Sequence, residues 1–365
     1  MVKKILIIFF LLLLLLAFFS PRIATWQVQR TLRHHFKDAD ISIGSLSIER
    51  PLSAALSNIE IKNRLYEIKI KKVSFDATLK MVVLEPHVKL KGLSKEWFSK
   101  NKPAVKNLSN KILFRTIEIR DLDLQCKTPD LITDVHGSLE LDLQNVRINS
   151  ASLSSDSLKA GELSLEYIVL DISNVAAGKL SIGKLSYNKL KIKDIQGKVI
   201  AGNKTLRIEP LTASVINGNV NGFLNVTIAD GFAYQAAFNL SALDMDTITK
   251  DFDLEKKMSA EGKLAGKINL RGDLSGIKEL SGGLSSSEAG GNLIIRDQDF
   301  LNYLAQNVHQ PIELVEAGFK EYPFDSATVS LGMHGQDLNL VVSLNGQKGK
   351  RNFDIKLHDV FYNGG

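Results

Sequence analysis

The side chains able to do acid–base, nucleophilic or metal chemistry are few and scattered along this 365-residue chain. There are seven histidines and one cysteine. His34 and His35 are adjacent, so on a helix their side chains diverge by about 100° and do not meet at one metal. His87, His136, His309, His334 and His358 stand at no ligand spacing. A lone Cys126 excludes a disulfide framework and a cysteine-based zinc site. No G-x-S-x-G, H-E-x-x-H or C-x-x-C run occurs. Gly262 to Lys267 (GKLAGK) lacks the full spacing of a phosphate loop, and Ile268 follows where Ser or Thr is needed, so a β-turn is expected there. An acid–base pair could be assembled from Asp297, Asp299 and His309, but no motif surrounds them. Asp121/Asp123 and Asp244/Asp246 read as wet-face and helix-start positions. The expectation is a protein that is not an enzyme and uses no metal and no cofactor.

Charge narrows the partners. The net +6 comes from 46 basic against 40 acidic residues, a mild excess. Basic clusters stand at Lys69/Lys71/Lys72, Lys189/Lys191/Lys193 and Lys348/Lys350/Arg351. They read as edge protection or as contacts to anionic headgroups. With no aromatic stacking platform, nucleic acid is not an expected partner.

The elements that must position these residues begin with an apolar run. From Ile5 to Phe19 no side chain is polar. Fifteen helical residues span roughly 22 Å, and continuing to Trp26 reaches about 33 Å, enough for a hydrocarbon core. Residues 1–26 are therefore expected to be a single-pass transmembrane signal-anchor. Lys3 and Lys4 would hold the N-terminus in the cytoplasm, and the bulk of the chain would be exported. A cleaved signal peptide is the alternative, although Ala17-Phe18-Phe19 and Arg22-Ile23-Ala24 lack small residues at both required positions. Residues 27–38 form a juxtamembrane helix. Its stripe Val28, Leu32 and Phe36 would face either the lipid interface or the following domain.

From Asp40 the period changes to two: aliphatic residues alternate with Lys, Asp, Glu, Ser and Asn, as in half-buried strands. Turn pairs such as Gly202-Asn203, Asn217-Gly218, Asp230-Gly231 and Asn345-Gly346 suit antiparallel hairpins. Three segments depart from this period and are expected to be short helical inserts: Ser94 to Asn110, Asp244 to Lys257, and Gln298 to Lys320 broken at Pro311. The aliphatic face needs a cover: a second sheet, a closed barrel, or a curled sheet whose hollow side takes an apolar ligand. Only 7% of residues are aromatic, and the alternates are nearly all Leu, Ile and Val, which suits the third option as well as a plain sandwich. The fold class expected is mainly β, an elongated, curled antiparallel sheet forming a groove. The candidate lining residues are Ile117, Ile119, Leu139, Leu141, Leu143, Leu224, Val226, Ile228, Leu340 and Val342.

The wording of Leu206 to Lys250 resembles the AsmA-like family. It has a strand ending Pro210-Leu211-x-Ala213, then Gly218-x-Val220-x-Gly222, an alternating hairpin, and Leu243-Asp244 opening a helix. Met258 to Leu304 is similar to that family's C-terminal region through Gly262-x-x-x-Gly266, Leu270-x-Gly272, Leu280-x-Gly282 and the turn from Gly290 to Ile295. The resemblance divides the chain into an N-terminal groove region, 39–205, and an AsmA-like C-terminal groove region, 206–365. It implies an inner-membrane anchor, a periplasmic body, and a groove that binds or conducts phospholipid acyl chains in support of outer-membrane assembly. It supplies no catalytic residues. About 18 strands at roughly 4.8 Å each give a sheet near 85 Å, short for bridging two membranes, so a homo-oligomer or an envelope partner protein is expected. The alternative function is a structural scaffold of the envelope that takes no lipid.

Overall fold

The computed structural model describes residues 25–26, 28–30, 32–33, 39–50, 53–91, 114–129, 131–145, 147–174, 177–227, 232–273, 276–287, 290–334 and 337–357. Nearly all of the expected anchor, the expected helix Ser94 to Asn110 and Ile228 lie outside them. Among the described residues no helix is long and apolar enough to cross a membrane.

The protein is mainly β. Eighteen strands belong to one open hydrogen-bonded sheet and three to a second, small one. The chain divides into two units, Met1–Ser181 with Val199–Lys204, and Ile182–Lys198 with Thr205–Gly365. Strands β9 (Ala177–Tyr187) and β10 (Leu190–Gly202) contribute residues to both.

The first unit contains β1 (Asp40–Arg50), β2 (Ser53–Lys62), β3 (Tyr66–Phe75), β4 (Lys80–Leu90), β5 (Thr116–Lys127), β6 (Ile132–Asp142), β7 (Arg147–Ala160) and β8 (Leu163–Asn174), each paired with the next. All these pairs are antiparallel except β4–β5, which run parallel from Lys80↔Thr116 to Leu90↔Cys126. This corrects the all-antiparallel expectation. Parallel neighbours need a crossover of a dozen or more residues, and the chain between β4 and β5 is long enough to provide it.

Because cross-strand partners share a face, register turns the alternation into rows. Leu46, Leu56, Val73, Val83, Ile119, Leu139, Ala151 and Ile172 form one row across all eight strands. Glu60, Lys69, His87, Asp123 and His136 form a row on the other face. The described residues between 25 and 33 are helical. Val28 and Leu32 pack against Ile41, Leu56, Ile59, Ile61 and Val73. The Gln29 side-chain amide donates to the Ile41 carbonyl. For these two residues the stripe therefore covers the sheet, the second of its two expected uses.

In the second unit, β11 (Thr205–Val215), β12 (Gly218–Thr227), β13 (Ala233–Asp244), β15 (Lys263–Asp273), β16 (Gly276–Ser286), β19 (Ser326–His334), β20 (Asp337–Gly346) and β21 (Gly349–Leu357) pair antiparallel in that order. The small sheet joins β14 (Met258–Glu261), β17 (Gly291–Ile295) and β18 (Tyr322–Phe324). Ile216 and Asn217 both have positive φ and close the β11–β12 hairpin, the geometry of a primed two-residue turn. That turn lies one residue earlier than expected. Gly262 to Lys267 is not a turn: all but Gly262 lie in β15.

Helix α1 (Met245–Asp251) is shorter than its expected segment, because turns begin at Phe252. Helices α2 (Gln298–Val308) and α3 (Ile312–Phe319) are separated where the break at Pro311 was expected. Asp297 caps α2 by accepting from the Phe300 amide at 3.0 Å. His309 ends α2 in the left-handed conformation, and Pro311 starts α3, since its fixed φ and missing N–H are tolerated there.

Candidate functional site

Apart from Leu143, the expected lining residues that the structure describes lie on strands in both units. In the first, Ile117 and Ile119 of β5 face Leu141 and Leu139 of β6, with Met81 and Val83 of β4 beside them. All six are half-buried. Leu143 lies beyond β6, in the turn, where its amide donates to the Arg115 carbonyl at 2.9 Å. The strand stops at Asp142 because that carboxylate accepts from the Gln144 and Asn145 amides at 3.0 and 3.1 Å and from the Asn145 side chain at 2.7 Å. Burial works against the charged form of Asp142. The Asn145 and Gln144 hydrogen bonds and the Arg147 charge outweigh it, and the carboxyl is held below the usual range.

In the second unit the apolar face is continuous through register. Ile208, Leu224, Ala236, Leu270 and Leu280 form one row. Ala213, Val220, Leu240, Gly266, Leu284, Val329, Val342 and Phe353 form another. Leu224 and Val226 on β12, and Leu340 and Val342 on β20, share this face and are half-buried. The structure thus brings Leu224, Val226, Leu340 and Val342 to one face of the second unit, and Ile117, Ile119, Leu139 and Leu141 to one face of the first.

The spaced glycines also have a place. Gly222 faces Phe238 on β13, and a Cβ there would lie 2.0 Å from the Ala237 carbonyl oxygen and 2.8 Å from the Phe238 ring. Gly272 faces Tyr234, whose hydroxyl oxygen would lie 2.3 Å from an added Cβ. Neighbouring strands lean over these positions on the apolar side, and only glycine permits that approach. The Tyr234 phenol sits on this face, and its pKa is raised, first by burial and then by the Asp273 charge.

Around Phe353 of β21 the same face is filled. Phe353 stands 6.4 Å from Phe300 of α2 and 5.6 Å from Phe319 of α3. Tyr322 is fully buried, 5.8 Å from Phe319, with its hydroxyl donating to the Gly349 carbonyl. The Arg351 guanidinium lies over both rings, at 5.9 and 5.7 Å. Nothing in the two-residue alternation points to this plug. Its one trace in the sequence is the gathering of Phe300, Phe319, Tyr322, Phe324 and Phe353 in an otherwise aromatic-poor chain.

The opposite face is wet, and many of its charges in the first unit are paired. Lys69 bridges Glu67 and Glu60 at 3.0 and 3.5 Å, and this holds the Glu67 carboxyl below its usual range. Lys71 reaches Glu85 at 2.5 Å, and Lys189 reaches Asp253 at 2.6 Å. Two of the basic clusters are therefore engaged in part within the protein. His87, Asp123, His136 and Asp134, scattered in the sequence, meet here: both histidines direct Nδ1 at Asp123, and His136 Nε2 lies 3.7 Å from Asp134. Among the described residues no three such side chains converge as metal ligands. Asp297 and His309 cap opposite ends of the 11-residue α2, roughly 18 Å apart at 1.5 Å per residue. They do not form an acid–base pair.

No protein-family model, no curated protein and no solved structure matches the chain.

Proposed function

We propose that this is a membrane-anchored, periplasmic AsmA-like protein. Its apolar sheet face curls into a groove that binds or conducts phospholipid acyl chains, in support of lipid transport and outer-membrane assembly. The protein is not an enzyme in this reading, and residues 1–26 hold it to the inner membrane.

The observation that carries the reading is the state of the apolar face in the second unit. Leu224, Val226, Ile268, Leu270, Leu280 and Leu284 of β12, β15 and β16 share one side of the sheet and stay half-buried, while Ile208 and Ala236 of the same row are buried. A core packed under a second layer would hide such side chains. An aliphatic surface left partly open, with glycines where strands crowd together, suits a long, flexible alkyl chain. The family resemblance of 206–304 falls on the same strands. A second copy or an envelope partner would extend the path beyond one chain.

The test is phospholipid content. Full-length protein should co-purify with phospholipid detected by mass spectrometry. Leu141→Asp and Val226→Asp should lose it while keeping the native circular dichroism and melting transition. Equal lipid in wild type and both variants would refute the groove. The scaffold reading draws on the aromatic plug over β20 and β21, a conventional core. It expects no bound lipid from the start.

A further inference from the structure

We propose that the polar face of the second unit, on the side of the sheet away from the apolar lining, carries a saccharide-binding site built on β11, β12, β13 and β15. The site begins with a register slip. Ile208 faces Leu224 and Leu211 faces Gly222, so Glu209 and Pro210 together oppose Phe223, the two-against-one pattern of a bulge. On the next strands Phe223 is followed by Ala237 and then Asn269, while the neighbouring row runs Asn221, Asn239, Lys267. The small Ala237 side chain sits among these longer ones and leaves a hollow of about 360 Å³. That is within the range of small-ligand sites, about 300–1,000 Å³.

The lining is chemically specific. Asn221, Asn239, Asn269 and Lys267 are exposed, and their side chains make no hydrogen bond or ion pair among the described residues. Each carboxamide offers both donors and an acceptor. Side chains on facing strands stand about 5 Å apart, so three amides present an alternating array that ring hydroxyls, themselves donors and acceptors, can match. One wall is held in advance: Arg207 donates to Glu209 at 2.6 Å and lies 5.3 Å over the Phe223 ring. Phe223 thus supplies an apolar surface for the C–H side of a sugar, and the Arg207–Glu209 pair cancels its own charge. Lys267 remains, which admits one acidic substituent but does not make an anion site. A peptide cannot add here as a further strand, which needs a free strand edge, because β12 and β13 are paired on both sides.

The test uses the full chain in a detergent without a sugar headgroup. Saturation-transfer difference NMR is recorded with triacetylchitotriose, with cellotriose and with tetra-alanine. At least one trisaccharide should show transfer and the peptide none. The exposed pair Asn221→Leu/Asn239→Leu should weaken trisaccharide affinity about tenfold, the equivalent of one or two lost hydrogen bonds, with an unchanged melting temperature. Lys267→Gln provides a second variant and should leave the affinity for these neutral trisaccharides unchanged. Lipid content should be the same in all of these, so failure here leaves the groove reading standing. Absence of transfer from both trisaccharides, undiminished affinity in the double variant, or a preference for the peptide would each overturn the proposal.

Discussion

Two stretches of one apolar face in the second unit make an instructive pair. At the plug, Leu344 of β20 and Phe353 of β21 are 2% and 8% exposed, with Phe353 against Phe300 of α2 and Phe319 of α3. Away from it, Leu224, Val226, Ile268, Leu270, Leu280 and Leu284 stay half-buried, as do Leu340 and Val342 of β20 itself. Period and composition barely differ. The aromatic side chains of α2, α3 and β18 do, since they reach the first stretch and close it. A two-residue period therefore specifies an apolar face, and whether that face becomes core or lining depends on what the chain later lays across it.

Substitutions that break this contrast should order themselves by burial. Phe353→Ala removes the ring on which Phe300 and Phe319 converge and should cost about 3–5 kcal/mol in chemical denaturation. A cost below about 1 kcal/mol would mean that the plug is not a core. Gly222→Leu places a side chain where the Ala237 carbonyl and Phe238 already crowd the apolar side. It should lower stability by about 1–3 kcal/mol, the range for overpacking, together with bound lipid. Leu224→Asn, in the half-buried stretch, should cost less than Phe353→Ala yet remove more lipid. The ratio of lipid loss to stability loss then separates lining from core.

The smallest effect concerns the β6 end in the first unit and is read through pH. The Asp142 carboxyl is held low in the folded protein, against about 3.9 when unfolded. Its contribution is thus present above about pH 4 and is lost as pH falls through the lower folded value. Acid titration of stability should show this loss in wild type, and Asp142→Asn should flatten it. An unchanged acid limb in the variant would assign the loss to other carboxylates.

Much of this was legible in the sequence, for local reasons. Alternation at Leu224/Val226 and Leu340/Val342 fixes which side chains share a face, because neighbours in a strand always point opposite ways. Pro311 marks the α2–α3 break for equally local reasons of φ and a missing amide proton. What could not be read is set by partners distant in the chain. The parallel β4–β5 pair, the meeting of His87 with Asp123 and His136, the bulge opposite Phe223 and the plug around Phe353 all depend on register between strands or on where a helix docks. The spaced glycines fall between the two. Their spacing is visible, but their purpose emerges only when Gly222 faces Phe238 and Gly272 faces Tyr234.

The central claim, that one face of the sheet meets acyl chains and the other does not, is open to one direct measurement. A photo-activated benzoylphenylalanine is placed in turn at Leu141, Leu224 and Val226, and at the adjacent outward positions Glu140 and Asn225, and the full-length protein is irradiated in its native membrane. Phospholipid adducts are expected by mass spectrometry at the first three positions and none at the other two. Adducts at all five, or at none, would contradict it.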